Sequence, residues 1–116
     1  MIDSTPAFLR GVFDYTGAGY DSPSALPDSA SYTVPGSKRS QTLYFRAGNS
    51  GAAMVNVVLL RDGKVMRYFP VGAGGAIHVP LSVVEDLEPD QRLTLMVGSA
   101  KGATGTIVFE IGLIEI

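Results

Sequence analysis

Closely spaced glycines let backbone amides wrap a phosphate, so the stretch VGAGGAIHVP, residues 71 to 80, is the first place to look for chemistry. A dinucleotide fingerprint puts glycine first, third and sixth, then opens a helix toward the pyrophosphate. Gly72 and Gly74 fit, but the sixth position is Ile77, and Val79 and Pro80 continue an extended pattern. With no helix to follow, no dipole faces an anion, and the stretch is read as a loop between two strands. GSAKGATG, residues 98 to 105, imitates a P-loop, yet Lys101 precedes Gly102 and no Ser or Thr follows it directly. It is read as a hairpin loop.

His78 is the only histidine, and no serine sits in a G-x-S-x-G frame, so a nucleophile, base and orienting acid do not assemble from these residues. Glu85, Asp86, Glu88 and Asp90 crowd together without the alternate spacing and central glycine of a calcium loop. Two carboxylates on one short loop also do not flank a glycosidic bond, and there is no tryptophan to stack on a sugar. Six basic residues (Lys38, Arg39, Arg46, Arg61, Lys64, Arg67) precede that acidic cluster, an asymmetry that suggests two faces of one molecule. The expectation is no enzyme, no cofactor and no metal.

The elements that would carry these residues are strands. From residue 41 onward apolar residues recur with period two and β-branched types dominate. QTLYFRA alternates Leu43 and Phe45 against Thr42, Tyr44 and Arg46. Asp62-Gly63 divides two apolar runs and predicts a type I′ hairpin with Leu60 opposite Val65, Leu59 opposite Met66, Val57 opposite Tyr68 and Arg67 opposite Val58. Being apolar on both faces, this hairpin is expected to lie centrally. AIHVP and RLTLMVG read as further strands, joined by a connector whose Ser82-x-x-Glu85 pattern allows one helical turn. In GTIVFEIGLIEI, Ile107, Phe109 and Ile111 share one parity and Ile114 and Ile116 the other, so a β-bulge at Gly112 is predicted to restore them to one face. FLRGVFDY is a candidate first strand.

The fold class is therefore all-β: a single-domain antiparallel β-sandwich, jelly-roll-like or immunoglobulin-like, of about 6–8 strands. Residues 1–40 hold the first strand and an extended Pro/Gly/Ser-rich arm; residues 41–116 form the sandwich core. At 116 residues the chain is one domain with a sizeable core, and with no cysteine it must hold on packing alone. A net charge of −2 gives no drive toward nucleic acid, and the start has neither a signal peptide nor, anywhere, a membrane-length apolar run. The expected location is cytoplasmic or virion.

These exclusions leave a structural or interaction protein, an accessory component of a larger assembly such as a virion (capsid decoration or tail protein). Its expected partners are protein subunits of the same or a neighbouring type, in a homo-oligomer, with no nucleic acid and no membrane. The candidate partner-binding residues are Tyr15, Tyr20 and Tyr32 on the arm side, with Arg39 and Arg46. The alternative is a carbohydrate- or small-ligand-binding module using Tyr44 or Tyr68 as a stacking platform.

Overall fold

The computed structural model describes residues 4–81 and 85–116. Alternating apolar residues pair ten strands into two antiparallel sheets: β1 (Thr5–Thr16), β2 (Ser24–Ala25), β3 (Tyr32–Thr33), β4 (Ser40–Asn49), β5 (Val55–Arg61), β6 (Lys64–Val71), β7 (Ala76–Pro80), β8 (Asp86–Leu87), β9 (Arg92–Ser99) and β10 (Thr104–Glu115). The first sheet runs β1-β10-β4-β7, with β8 also on β4; the second runs β2-β9-β5-β6, with β3 also on β9.

The order of crossings identifies the sandwich. First and last strands are neighbours in one sheet, and apart from the β5–β6 hairpin and the split pieces β2–β3 and β7–β8, each connection passes from one sheet to the other. That is a jelly roll; an immunoglobulin sandwich would put its first and last strands in opposite sheets.

Inward residues of both sheets form one core. Ile107, Phe109, Ile111 and Leu113 of β10 meet Leu93, Leu95 and Val97 of β9 and Val55, Val57 and Leu59 of β5, all buried. Phe45 of the first sheet stacks on Phe69 of the second, ring centroids 4.1 Å apart, joining the two layers. Each such side chain contributes about 1.5–3 kcal/mol on leaving water.

Asp62 (φ 50°) and Gly63 (φ 80°) both hold positive φ, as the hairpin turn requires. Leu60 faces Val65 as expected, but the register then slips by one residue, so Leu59 faces Arg67, Val58 faces Tyr68 and Val57 faces Phe69. A bulge so close to a tight turn is invisible in a pattern apolar at every position. Only β5 is central; β6 is the edge of its sheet.

The register also slips at Gly112, but the extra residue is Leu43 on the facing strand: Tyr44 pairs with Gly112 and Thr42 with Leu113. β10 keeps unbroken pairing with β1, so Leu113 follows Ile111 inward while Ile114 and Ile116 turn out. In β4 the slip places Thr42 inside, 2% exposed, and Leu43 outside.

Residues 98–105 are a corner between sheets and not a hairpin, because β9 and β10 lie in different layers. Gly102 holds φ 80° there, and its N–H donates to the carbonyl of Gly17. Residues 71–80 do turn the chain: Gly74 holds φ 59° and Gly75 N–H donates to the Gly72 carbonyl at 3.0 Å. The Ser82-x-x-Glu85 turn falls on residues 82–84, outside the described residues.

The Pro-rich segment 16–40 lies along its own sandwich. β2 and β3 pair with β9, a 3-10 turn spans Asp28–Ala30, and Ala30 and Val34 are buried in the core.

Candidate functional site

The five residues singled out on the sequence do not meet at one place. Tyr15 points inward, 8% exposed, and its hydroxyl donates to Asn49 Oδ1 at 2.6 Å. Burial pushes that phenol above its ordinary pKa. Asn49 also accepts from the Gly51 N–H and donates to the carbonyls of Ala53 and Gly72, so Tyr15 anchors a knot of loops. Tyr20 is exposed and donates to the Met54 carbonyl at 2.8 Å. The Tyr32 hydroxyl donates to Glu115 Oε2 and lies 2.6 Å from Ser40 Oγ. Burial, then the Glu115 bond, push its pKa up to about 12.

Arg39 bridges Asp86 (3.2 Å) and Glu88 (3.3 Å), while Arg61 and Arg67 both reach Glu85. The basic and acidic stretches of the sequence thus neutralise one another within one molecule. They do not form two opposed faces.

Arg46 alone belongs to a surface with binding geometry, the outer face of the β1-β10-β4-β7 sheet. Antiparallel register lays its outward residues in rows across the strands. One row is Phe8, Gly112, Tyr44 and Pro80; the next is Arg10, Glu110, Arg46 and His78; the third is Val12, Val108, Gly48 and Ala76.

In the first row the missing side chain of Gly112 lets the Tyr44 ring fold flat across the neighbouring strand, where any Cβ would overlap it. Aromatic cover of a strand glycine is a known way to fix a ring on a sheet. The ring is stacked with His78 at 5.5 Å, and Tyr44 Oη donates to Glu110 Oε1 at 2.6 Å.

In the second row Arg46 lies 3.4 Å and Arg10 3.6 Å from the same carboxylate, while both arginine side chains stay more than half exposed. Arg10 sits over the Phe8 ring at 5.2 Å and Arg46 near the Tyr44 ring at 6.0 Å. The Tyr44 hydroxyl, followed by the two arginines, holds the Glu110 carboxyl below the usual range, and the same bond pushes the Tyr44 phenol up.

In the third row Gly48 and Ala76 are too short to fill the surface between their neighbours, and nothing lies within 4 Å of where a Gly48 Cβ would stand. The result is an open depression of about 510 Å³ with Val12 and Val108 on its apolar side and Arg10, Glu110 and Arg46 on its polar side. Two cations around one anion leave a surplus of N–H donors beside aromatic and aliphatic ground. That arrangement can hold a partner non-covalently.

Of this surface the sequence reading reached Arg46 and Tyr44 and missed Phe8, Arg10, Val12, Val108 and Glu110. The outward residues of FLRGVF and TIVFEI mix apolar with charged types (Phe8, Arg10 and Val12; Thr106, Val108 and Glu110), so neither strand by itself marks a face. Yet Phe8, Val12 and Val108 are 48%, 66% and 50% exposed. Tyr68, the other proposed platform, stands on the edge strand of the opposite sheet, 62% exposed and opposite Val58. No group of three or more His, Cys, Asp or Glu able to hold a metal occurs among the described residues, and no helix there is long and apolar enough to cross a membrane.

No protein-family model matches the sequence, and no curated protein matches it significantly. The fold is similar to solved structures. The CBM36-1 domain of a multidomain xylanase from the hindgut metagenome of Trinervitermes trinervoides matches with a TM-score of 0.56 at 18% identity, covering 94% of this chain and 96% of that one. A chain of infectious bursal disease virus, Gx strain, matches with a TM-score of 0.52 at 12% identity, covering 97% of this chain but 32% of its own length. At these identities the likeness concerns the β-sandwich architecture.

Proposed function

We propose that the chain is a non-enzymatic interaction protein whose β1-β10-β4-β7 face docks on neighbouring subunits of a larger assembly, such as a virion. The observation that carries this reading is the exposure of Val12 and Val108 in a hollow lined also by Arg10 and Arg46, with Phe8 exposed on the same face. Exposed apolar ground rimmed by polar groups marks an interaction surface more often than it marks a folding defect. Arginine and aromatic residues are also the types that dominate binding energy when such a surface is covered. The similar architecture of a virus chain agrees with this role.

Absolute mass by light scattering across a hundredfold range of concentration tests it, together with Val108→Lys at the middle of the face. A closed species larger than a dimer, lost in Val108→Lys, is the expected result. Association that Val108→Lys leaves untouched would remove the face from the account.

A second reading rests on the Tyr44 ring, flat over Gly112 with two arginines beside it, which suits stacking on a sugar with donors to its hydroxyl groups. The carbohydrate-binding module of similar fold agrees with it. A glycan array is expected to give a binder that Tyr44→Ala removes, and silence across the array would discard this reading.

A further inference from the structure

We infer that β1 is a self-association edge: two copies of this chain pair β1 with β1 antiparallel about a two-fold axis at Val12, joining their first sheets into one. β1 pairs with β10 along all twelve residues without a register slip, and no strand lies on its other side among the described residues. An open edge presents unpaired N–H and C=O groups, which proteins ordinarily guard with proline, lysine, bulges or shortness.

The other edges are guarded in these ways. β6 carries Lys64, Pro70 and a register slip; β7 is five residues long and ends in Pro80; β2 and β3 have two residues each. From Ala7 to Thr16 β1 has no proline, no lysine and no register slip, and its two charged residues, Arg10 and Asp14, are of opposite sign.

Charge selects the register. Even-numbered residues of β1 face outward, so a symmetric pairing that keeps them on one face places its axis on a residue. An axis at Arg10 sets Arg10 against its own copy. An axis at Gly11 puts Arg10 opposite Val12 and Phe8 opposite Asp14, and one at Phe13 puts Arg10 opposite Thr16. Only the axis at Val12 sets Arg10 against Asp14, twice by symmetry.

Three further features suit that register. Pairing runs from residue 8 to residue 16, which leaves Pro6 and its missing N–H outside. Gly11 falls opposite Phe13, whose ring already lies over the Gly11 of its own strand. Val12, 66% exposed, meets its copy, making an unbroken apolar row with Val108 on both sides.

Cysteine cross-linking reads the register directly, since the chain has no cysteine of its own. Directly opposed residues lie about 4.5–5.5 Å apart at Cα, within disulfide reach. Under mild oxidation Val12→Cys is expected to give a disulfide dimer, and Phe8→Cys, Arg10→Cys and Asp14→Cys are not. With the face disabled by Val108→Lys, the chain should still show a dimer by light scattering, with a further Asp14→Arg weakening it about tenfold as two cross-strand pairs turn repulsive. The double change Arg10→Asp with Asp14→Arg should restore it. A monomer at every concentration with no disulfide dimer from Val12→Cys, or cross-linking that is fastest at another position, would overturn the inference. Val108→Lys separates this from the face reading, because it alters the middle of the sheet and leaves the β1 edge and its charges intact.

Discussion

Tyr44 lies across Gly112, its ring filling the space a side chain at 112 would need, and its hydroxyl reaches along the same strand to Glu110 at 2.6 Å. One glycine thereby orients the ring, the carboxylate and, through that carboxylate, both Arg10 and Arg46. The platform is built into the sheet and does not depend on a loop.

Gly112→Ala is expected to lift the Tyr44 ring. Overpacking of this kind costs about 1–3 kcal/mol, which a urea melt would register as a lower midpoint at unchanged slope. Tyr44→Ala with Gly112→Ala should recover part of the loss, because the clash then has no second party. An additive double variant would show that the contact does not carry the energy.

The Tyr15–Asn49 knot gives a second expectation. Asn49→Ala strands the Tyr15 hydroxyl and the Gly51 N–H and removes donors from the carbonyls of Ala53 and Gly72, each buried unpaired group costing about 1–3 kcal/mol. Tyr15→Phe removes a donor but leaves Asn49 Oδ1 paired with Gly51, so it should cost about 1 kcal/mol. Equal losses in the two variants, measured by urea denaturation, would contradict this ordering.

How much of this was legible in the sequence depends on the range of the interaction. Local signals held: Asp62-Gly63 makes its turn, and period-two alternation marks the strands. Pairings at long range did not show. The one-residue slips at Leu43 and at the β6 end of the hairpin follow from which strand lies opposite, and a strand apolar on both parities carries no mark of that. For the same reason residues 98–105 resemble a hairpin in sequence, although the chain there crosses between layers. The outer face of the first sheet was hidden because its rows draw on β1, β10, β4 and β7, whose paired residues, such as Phe8 and Gly112, stand far apart in the chain. Only the sheet order brings Phe8, Tyr44 and Glu110 together.

Tyr32 sets an alkaline limit. Its phenol is raised from 10.0 to about 12 in the folded chain, so above pH 10 the unfolded chain loses a proton that the folded chain retains. The stability this group contributes is whole below pH 10 and falls as pH rises toward 12. Tyr32→Phe should flatten that part of a stability-against-pH curve, as well as removing the bonds to Glu115 and Ser40. An unchanged alkaline slope would assign the limit to other groups.

Charge on this molecule divides into pairs that close on themselves and pairs available to a second copy. Arg39 with Asp86 and Glu88 is of the first kind, and all three side chains are at least half exposed. Such bridges are worth less than about 1 kcal/mol, so Arg39→Ala should barely move a urea midpoint. It should also leave any self-association unchanged, since its partners are already within the chain. Arg10, 3.6 Å from Glu110, and Asp14, which accepts from Thr106 Oγ1, also have partners within the chain, but they stand at the open edge where a second copy can reach them. The salt dependence of dimer mass, followed by light scattering, should therefore vanish in a chain carrying both Arg10→Gln and Asp14→Asn and persist in Arg39→Ala. The opposite pattern would return the intermolecular role to the Arg39 cluster and take it from β1.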